Sequence, residues 1–143
     1  MNNQTKLSNL MVMDDPKSVV SEAFRMLRTN LQFAGVDKPL KIVSVTSGNP
    51  EEGKSTIAAN LAISFASTGS KVLLIDADLR RPKINKLFLL ENHIGLSSLL
   101  AGDLPLDSVI RETEIPNLQI ITSGPVPPNP AEILGSAKMK DFF

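Results

Sequence analysis

The sequence predicts an α/β fold: a parallel sheet flanked by helices, incomplete with three strands present, and preceded by one N-terminal helix. Three observations carry that expectation. The short runs Lys41–Ser47, Lys71–Asp76 and Asn117–Thr122 are largely apolar or β-branched, as strands covered on both faces are. An Ala-rich helical stretch from Lys54 to about Thr68 joins the first two within the length of one βαβ unit, which makes them parallel. Between the first strand and that helix lies a glycine-bounded turn, Gly48 to Gly53.

Taken in order, residues 1–13 are polar and aperiodic and read as a mobile arm. Residues 14–40 form a helix and its linker. Asp14-Asp15-Pro16 resembles a helix start, with a capping carboxylate and a proline at the first helical position. The helix is expected to run to about Phe33 and to exit at Gly35, with Val20, Ala23, Phe24, Leu27, Leu31 and Ala34 as one apolar stripe. Residues 41–143 hold the sheet. After the second strand, short helices are expected at about 83–91, 96–101 and 105–112. The stiff loop Ser123–Pro130 follows the third strand and leads into a helix from Ala131 to the end, with Asn129 as its cap. That last helix still carries Ile133, Leu134, Ala137, Phe142 and Phe143, and sheets of this kind have about five strands or more. The chain is therefore expected to be cut within a domain.

Composition narrows the function. Fifteen Lys and Arg against 15 Asp and Glu give zero net charge, which speaks against a non-specific nucleic-acid binder or a polybasic membrane clamp. No Cys means no disulfide framework, thiolate nucleophile, Cys-ligated zinc or iron–sulfur cluster, and the single residue His93 cannot build a His-rich metal site. The apolar run Leu10–Met13 is too short to span a membrane, and Ile57–Ala66 is broken by Asn60 and Ser64. A cytoplasmic location is the expectation.

The strongest motif is Gly48-Asn49-Pro50-Glu51-Glu52-Gly53-Lys54-Ser55, which fits G-x-x-x-x-G-K-[ST] and sits between strand and helix as the chemistry requires. Glycines let the backbone curl so that successive N–H groups meet phosphate oxygens, and the helix start adds the positive end of its dipole. Lys54 is expected to reach the outer phosphates and the Ser55 hydroxyl to bind Mg²⁺. A plain strand-to-helix turn is the bland alternative.

A second constellation, Leu74-Ile75-Asp76-Ala77-Asp78-Leu79-Arg80-Arg81-Pro82, leaves the carboxyl end of a strand, where open α/β sheets bind ligands. Asp76 and Asp78 alternate along an extended backbone, so both can face the phosphate loop. One can hold Mg²⁺ directly or through water, and the other can accept a proton from an incoming hydroxyl. A helix cap followed by a solvated basic turn accounts for the same residues.

Together, Gly48–Thr56, Leu74–Arg80, Ser123–Leu134 and the helix Glu22-Ala23-Phe24-Arg25-Met26-Leu27-Arg28 resemble the bacterial protein-tyrosine kinases of the capsule and exopolysaccharide type, members of the P-loop NTPases. The resemblance implies that Gly48, Asn49, Pro50, Glu51, Glu52, Gly53, Lys54, Ser55 and Thr56 form the Walker A loop that binds ATP. It makes Lys54, Asp76 and Asp78 catalytic, with Ser55, Asp76 and Asp78 around Mg²⁺. Glu22, Arg25 and Arg28 match the family's E-x-x-R-x-x-R helix, which packs on a neighbouring subunit in a ring. Tyrosine-containing proteins are the implied substrates and a membrane protein of the chain-length-determining type the implied activator, which places the chain at the inner face of the membrane. The family's Walker B strand and tyrosine-rich tail are not in these residues, so the 143-residue chain alone is expected to transfer no phosphate to tyrosine.

Other readings stay open. On the residues alone, Glu22, Arg25 and Arg28 are a solvated face with one weak ion pair, although Arg25 and Arg28 repel and invite acceptors from another chain. Arg80 and Arg81 can meet phosphate or an acidic substrate, or simply be solvated. A P-loop ATPase of the partition class is an alternative, but it places a lysine where this chain has Asn49. A truncated, non-catalytic assembly module is the third possibility.

Overall fold

The computed structural model describes residues 9–35 and 37–143. They divide into two compact units, Met1–Val72 with Ile115–Asn117, and Leu73–Glu114 with Leu118–Phe143.

In the first unit, α1 (Met11–Asp14), α2 (Val19–Ala34) and α3 (Lys54–Ala66) pack on one another. The described end of the expected mobile arm is ordered: Leu10 is fully buried and Val12 nearly so. The remainder, residues 1–8, lies outside the described residues. Helix α2 begins later than Asp14-Asp15-Pro16 suggests, because Ser18 takes the cap, its Oγ accepting the Ser21 N–H at 3.1 Å. Gly35 ends the helix as expected.

The inward face of α2 differs from the apolar stripe. Ser21 is buried and Phe24, Arg25, Arg28 and Leu31 are half-buried, whereas Val20, Ala23, Leu27 and Ala34 are exposed. Polar bonding decides the rotation. Ser21 Oγ donates to Met11 O and Asp15 O, and Arg28 Nη1 donates to Ser64 O on α3 at 2.7 Å. Buried polar groups impose directions that periodicity alone does not contain.

Lys41–Ser47 makes no strand ladder. The run is largely exposed, Ile42 at 59% and Val43 at 45%, with Val45 and Ser47 half-buried. β-Branched residues fit a pleated surface but cannot supply the neighbouring edge that makes a strand.

The second unit holds a three-stranded sheet in the order β1 (Val72–Ile75), β3 (Leu118–Ile121), β2 (Ile110–Glu112), with β1 entering it from the last residue of the first unit. The Val72 N–H donates to Asn117 O at 2.8 Å and the Asp76 N–H to Ile121 O at 3.0 Å. The equal advance along both chains makes β1 and β3 parallel. Strand β2 runs antiparallel to β3, pairing Ile110 with Ile121 and Glu112 with Gln119, so the sheet is mixed rather than all parallel. The connection through Thr113–Asn117 is too short for a crossover and permits only a hairpin. The helix expected at 105–112 is accordingly a single 3₁₀ turn, Leu106–Ser108, followed by that strand.

Helices α4 (Ile84–Leu87), α5 (Leu96–Ala101), α6 (Pro130–Leu134) and α7 (Ala137–Phe142) complete the second unit. Leu79, Leu96, Leu100, Val109 and Ile121 form its core, with Ile75, Ile133, Leu134, Met139 and Phe142 packed against it. The expected terminal helix is two pieces because Gly135 closes α6 and Ser136 caps α7, its Oγ accepting the Met139 N–H.

Candidate functional site

The phosphate-loop residues all belong to the first unit. Gly53 caps α3 in the left-handed region, φ 86°, and Glu51 is left-handed at φ 65°. Such residues turn the N–H groups of a loop toward one side, and Gly53 does so without a Cβ penalty. Lys54, Ser55 and Thr56 then open a helix of 13 residues, whose first-turn N–H groups have no intrahelical acceptor. A Cβ on Gly48 or Gly53 would meet nothing within 4 Å, so the space beside both glycines is open. This donor set fits the phosphates of a nucleotide.

The loop holds its own shape. Glu52 accepts from the Asn49 backbone N–H at 3.0 Å and from Asn49 Nδ2 at 3.1 Å, while Ser47 Oγ donates to Asn49 O at 2.9 Å. The bond from the Asn49 backbone, followed by that from its side chain, holds the Glu52 carboxyl below the usual carboxylate range.

Asp76 and Asp78 belong to the second unit. Asp76 leaves β1 with its side chain turned into the turn that follows. Oδ1 accepts the Asp78 N–H at 3.1 Å, and Oδ2 accepts those of Lys83 and Ile84 at 3.1 and 3.0 Å. The carboxylate thus closes the 77–83 turn and caps α4. Burial pushes its carboxyl up, against the three N–H bonds that pull it down. Asp78 is half-buried and accepts the Arg81 N–H at 3.0 Å. Arg80 and Arg81 are exposed.

Among the described residues, no three His, Cys, Asp or Glu side chains cluster to hold a metal by themselves. That suits Mg²⁺, which is bound by one or two protein groups together with substrate phosphates and water. Ser55, half-buried in the first turn of α3, carries a hydroxyl of the type such a site can use.

Of the helix residues, Glu22 and Arg25 pair at 2.6 Å, and Arg25 Nη1 also donates to Pro16 O. Arg28 finds its acceptors within the chain: Ser64 O and, at 3.1 Å, Ser64 Oγ. Both bonds use Nη1, and the buried Nε has no partner among the described residues. His93 sits in a loop, 3.5 Å from Glu91.

Two groups of residues went unread in the sequence. Asn60 and Ser64 lie on one face of α3, buried, and hold the N-terminal segment and α2. The signal was their interruption of an apolar helix at positions four apart. In the second unit, Asn92 fastens the loop leaving β3: its Oδ1 accepts the Gly124 N–H at 2.8 Å and its Nδ2 donates to Gly124 O at 3.0 Å.

The family model described as ParA, NUBPL iron-transfer P-loop NTPase, matches residues 38–123. The chain is 50% identical over 134 residues to tyrosine-protein kinase YwqD of Bacillus subtilis, covering 94% of this chain and 56% of that protein. Among solved structures, the chimerical protein CapA2B2 is similar at 44% identity and TM-score 0.89, covering 94% of this chain and 59% of that one. The kinase domain of Escherichia coli tyrosine kinase ETK is similar at 37% identity and TM-score 0.82, covering 93% and 52%. The chain thus spans little more than half the length of these relatives.

Proposed function

Since this chain belongs to the ParA family of P-loop NTPases and its named relatives are bacterial tyrosine-protein kinases, we propose that it binds Mg-ATP through Gly48–Thr56 as part of a protein-tyrosine kinase. The observation that carries this reading is the Gly53-capped head of α3, where Lys54 and Ser55 open the helix behind an uncluttered glycine loop. Lys54 meets the outer phosphates and neutralises charge that develops during transfer, and Ser55 holds the metal. Bound Mg²⁺ supplies charge neutralisation and geometry at the phosphates. Asp76 and Asp78 form the second acidic motif, Asp76 fixing the turn from within and Asp78 presenting the more open carboxylate.

Tyrosine-containing proteins are the acceptors in this reading. No Tyr lies within these 143 residues, so the acceptor belongs to another segment or another protein. Autophosphorylation on a tail, activation by a membrane protein of the chain-length-determining type, a place at the cytoplasmic face of the membrane and service to capsule or exopolysaccharide synthesis rest on the family resemblance. Ring assembly draws on the exposed Glu22 and the half-buried Arg25 paired with it, since Arg28 is engaged with Ser64. Iron transfer is not carried over, because the chain has no Cys.

The test pairs calorimetric titration with Mg-ATP and transfer from labelled ATP to a tyrosine-containing peptide, using the chain both alone and extended to the length of its relatives. Saturable ATP binding and phosphotyrosine in the extended form are expected. Absence of binding, or transfer to serine alone, overturns the reading.

A further inference from the structure

Asn60 joins three stretches of chain within the first unit. It is 1% exposed, and both halves of its amide are used. Nδ2 donates to Thr56 O at 2.9 Å and to Asn9 O at 2.8 Å, while Oδ1 accepts the Val12 N–H at 3.0 Å. Between the two N-terminal contacts, Leu10 is fully buried. Ser21 holds the next stretch through Met11 O and Asp15 O. Residues 9–14 therefore lie across α3 as a strap, and the side chain that fastens it also grips a carbonyl in the first helical turn, directly after Lys54 and Ser55.

We propose that Asn60 is a positioning residue through which residues 9–14 set the first turn of α3, so that nucleotide affinity depends on how that segment is seated. This rests on the nucleotide-binding reading above. Unseating the strap leaves a buried amide with an unused donor and acceptor, a state costly enough that strap and helix end move together. Binding linkage is reciprocal: a nucleotide that fixes the first turn also fastens the strap.

The experiment uses Asn60→Ala, which removes the clasp, and Leu10→Ala, which loosens the strap without touching α3. In both, the Kd for Mg-ADP is measured together with the thermal midpoint and amide exchange at Ile57, whose N–H bonds Gly53 O at 2.9 Å. Each variant is expected to bind on the order of tenfold more weakly and to exchange Ile57 faster, with the double variant no weaker than the weaker single one. A purely packing role lowers the midpoint and leaves Kd and Ile57 exchange unchanged; that result, or additive losses, overturns the proposal. Failure of both variants to fold places these groups in the core and overturns it too. If the parent chain binds no nucleotide, the phosphate-loop reading has failed, and Ile57 exchange in the ligand-free variants still decides whether the strap and helix are coupled.

Discussion

Gly95 lies so close to Gly124 that a Cβ on Gly95 would overlap the Gly124 nitrogen and the carbonyl of Thr122. Gly124 is left-handed at φ 78°, and its own Cβ would stand 2.5 Å from Ser97 Oγ. The approach lets the head of α5 bond directly to the end of β3: Leu96 N–H to Thr122 O and Ser97 N–H to Ser123 O, both 2.8 Å. Two small residues thus let the hydrogen bonding of the central strand continue into the segment beyond it.

Gly95→Ala should therefore destabilise the protein by about 3 kcal/mol. The added methyl meets backbone, which cannot swing aside as a side chain can. Urea denaturation monitored by circular dichroism measures it. A loss below about 0.5 kcal/mol would show that the α5–β3 junction relaxes freely.

Asp76→Asn should cost about 1–3 kcal/mol, because an amide cannot accept from Asp78, Lys83 and Ile84 together without turning its own N–H groups on theirs. The pH dependence has a definite sign. Burial raises the folded carboxyl above its unfolded value, so the folded state holds the proton more tightly. This contribution favours folding fully below the unfolded value and is lost as pH rises through the folded one. The stability difference between wild type and Asp76→Asn should shrink as pH rises through that window. A difference that grows there contradicts the assignment.

Arg28→Ala should cost about 1.5–3 kcal/mol, since it removes charge-assisted bonds from a buried serine and its carbonyl. Arg25→Ala removes an exposed pair and should cost only a few tenths of a kcal/mol. Thermal unfolding of the two variants side by side decides it, and equal losses would place Arg28 at the surface.

Lys54→Met should reduce Mg-ATP binding by a hundredfold or about that, because it removes the cation that meets the outer phosphates. Isothermal calorimetry reads the affinity. An unchanged Kd would move the nucleotide away from this loop.

What the sequence made legible was chiefly local. Helix α3, strands β1 and β3 and the glycine loop follow from periodicity and turn chemistry carried within each segment. What it hid depended on partners. Lys41–Ser47 has strand composition, but composition cannot create a neighbouring edge. Ile110–Glu112 reads as helix until Leu118–Ile121 is beside it. The inward face of α2 departs from its apolar periodicity because Ser21 and Arg28, both polar, are fixed by acceptors elsewhere in the chain. In the candidate site, the loop's residues were legible by spacing. The bonding of Asp76 was not, since a carboxylate facing a ligand and one capping a turn have the same sequence.

The largely exposed run Lys41–Ser47 also has a consequence for how copies of these 143 residues should meet at high concentration. A segment with no ladder on either side among the described residues is bivalent: it can accept one neighbour and offer itself to another. Association of that kind has no closing step, so it proceeds to open-ended growth rather than to a dimer. Lys41 is the run's single charge, and copies stacked in register would set it against itself. Salt weakens that repulsion, so turbidity of concentrated solutions should rise with ionic strength, and a second lysine within the run, as in Ser44→Lys, should suppress it.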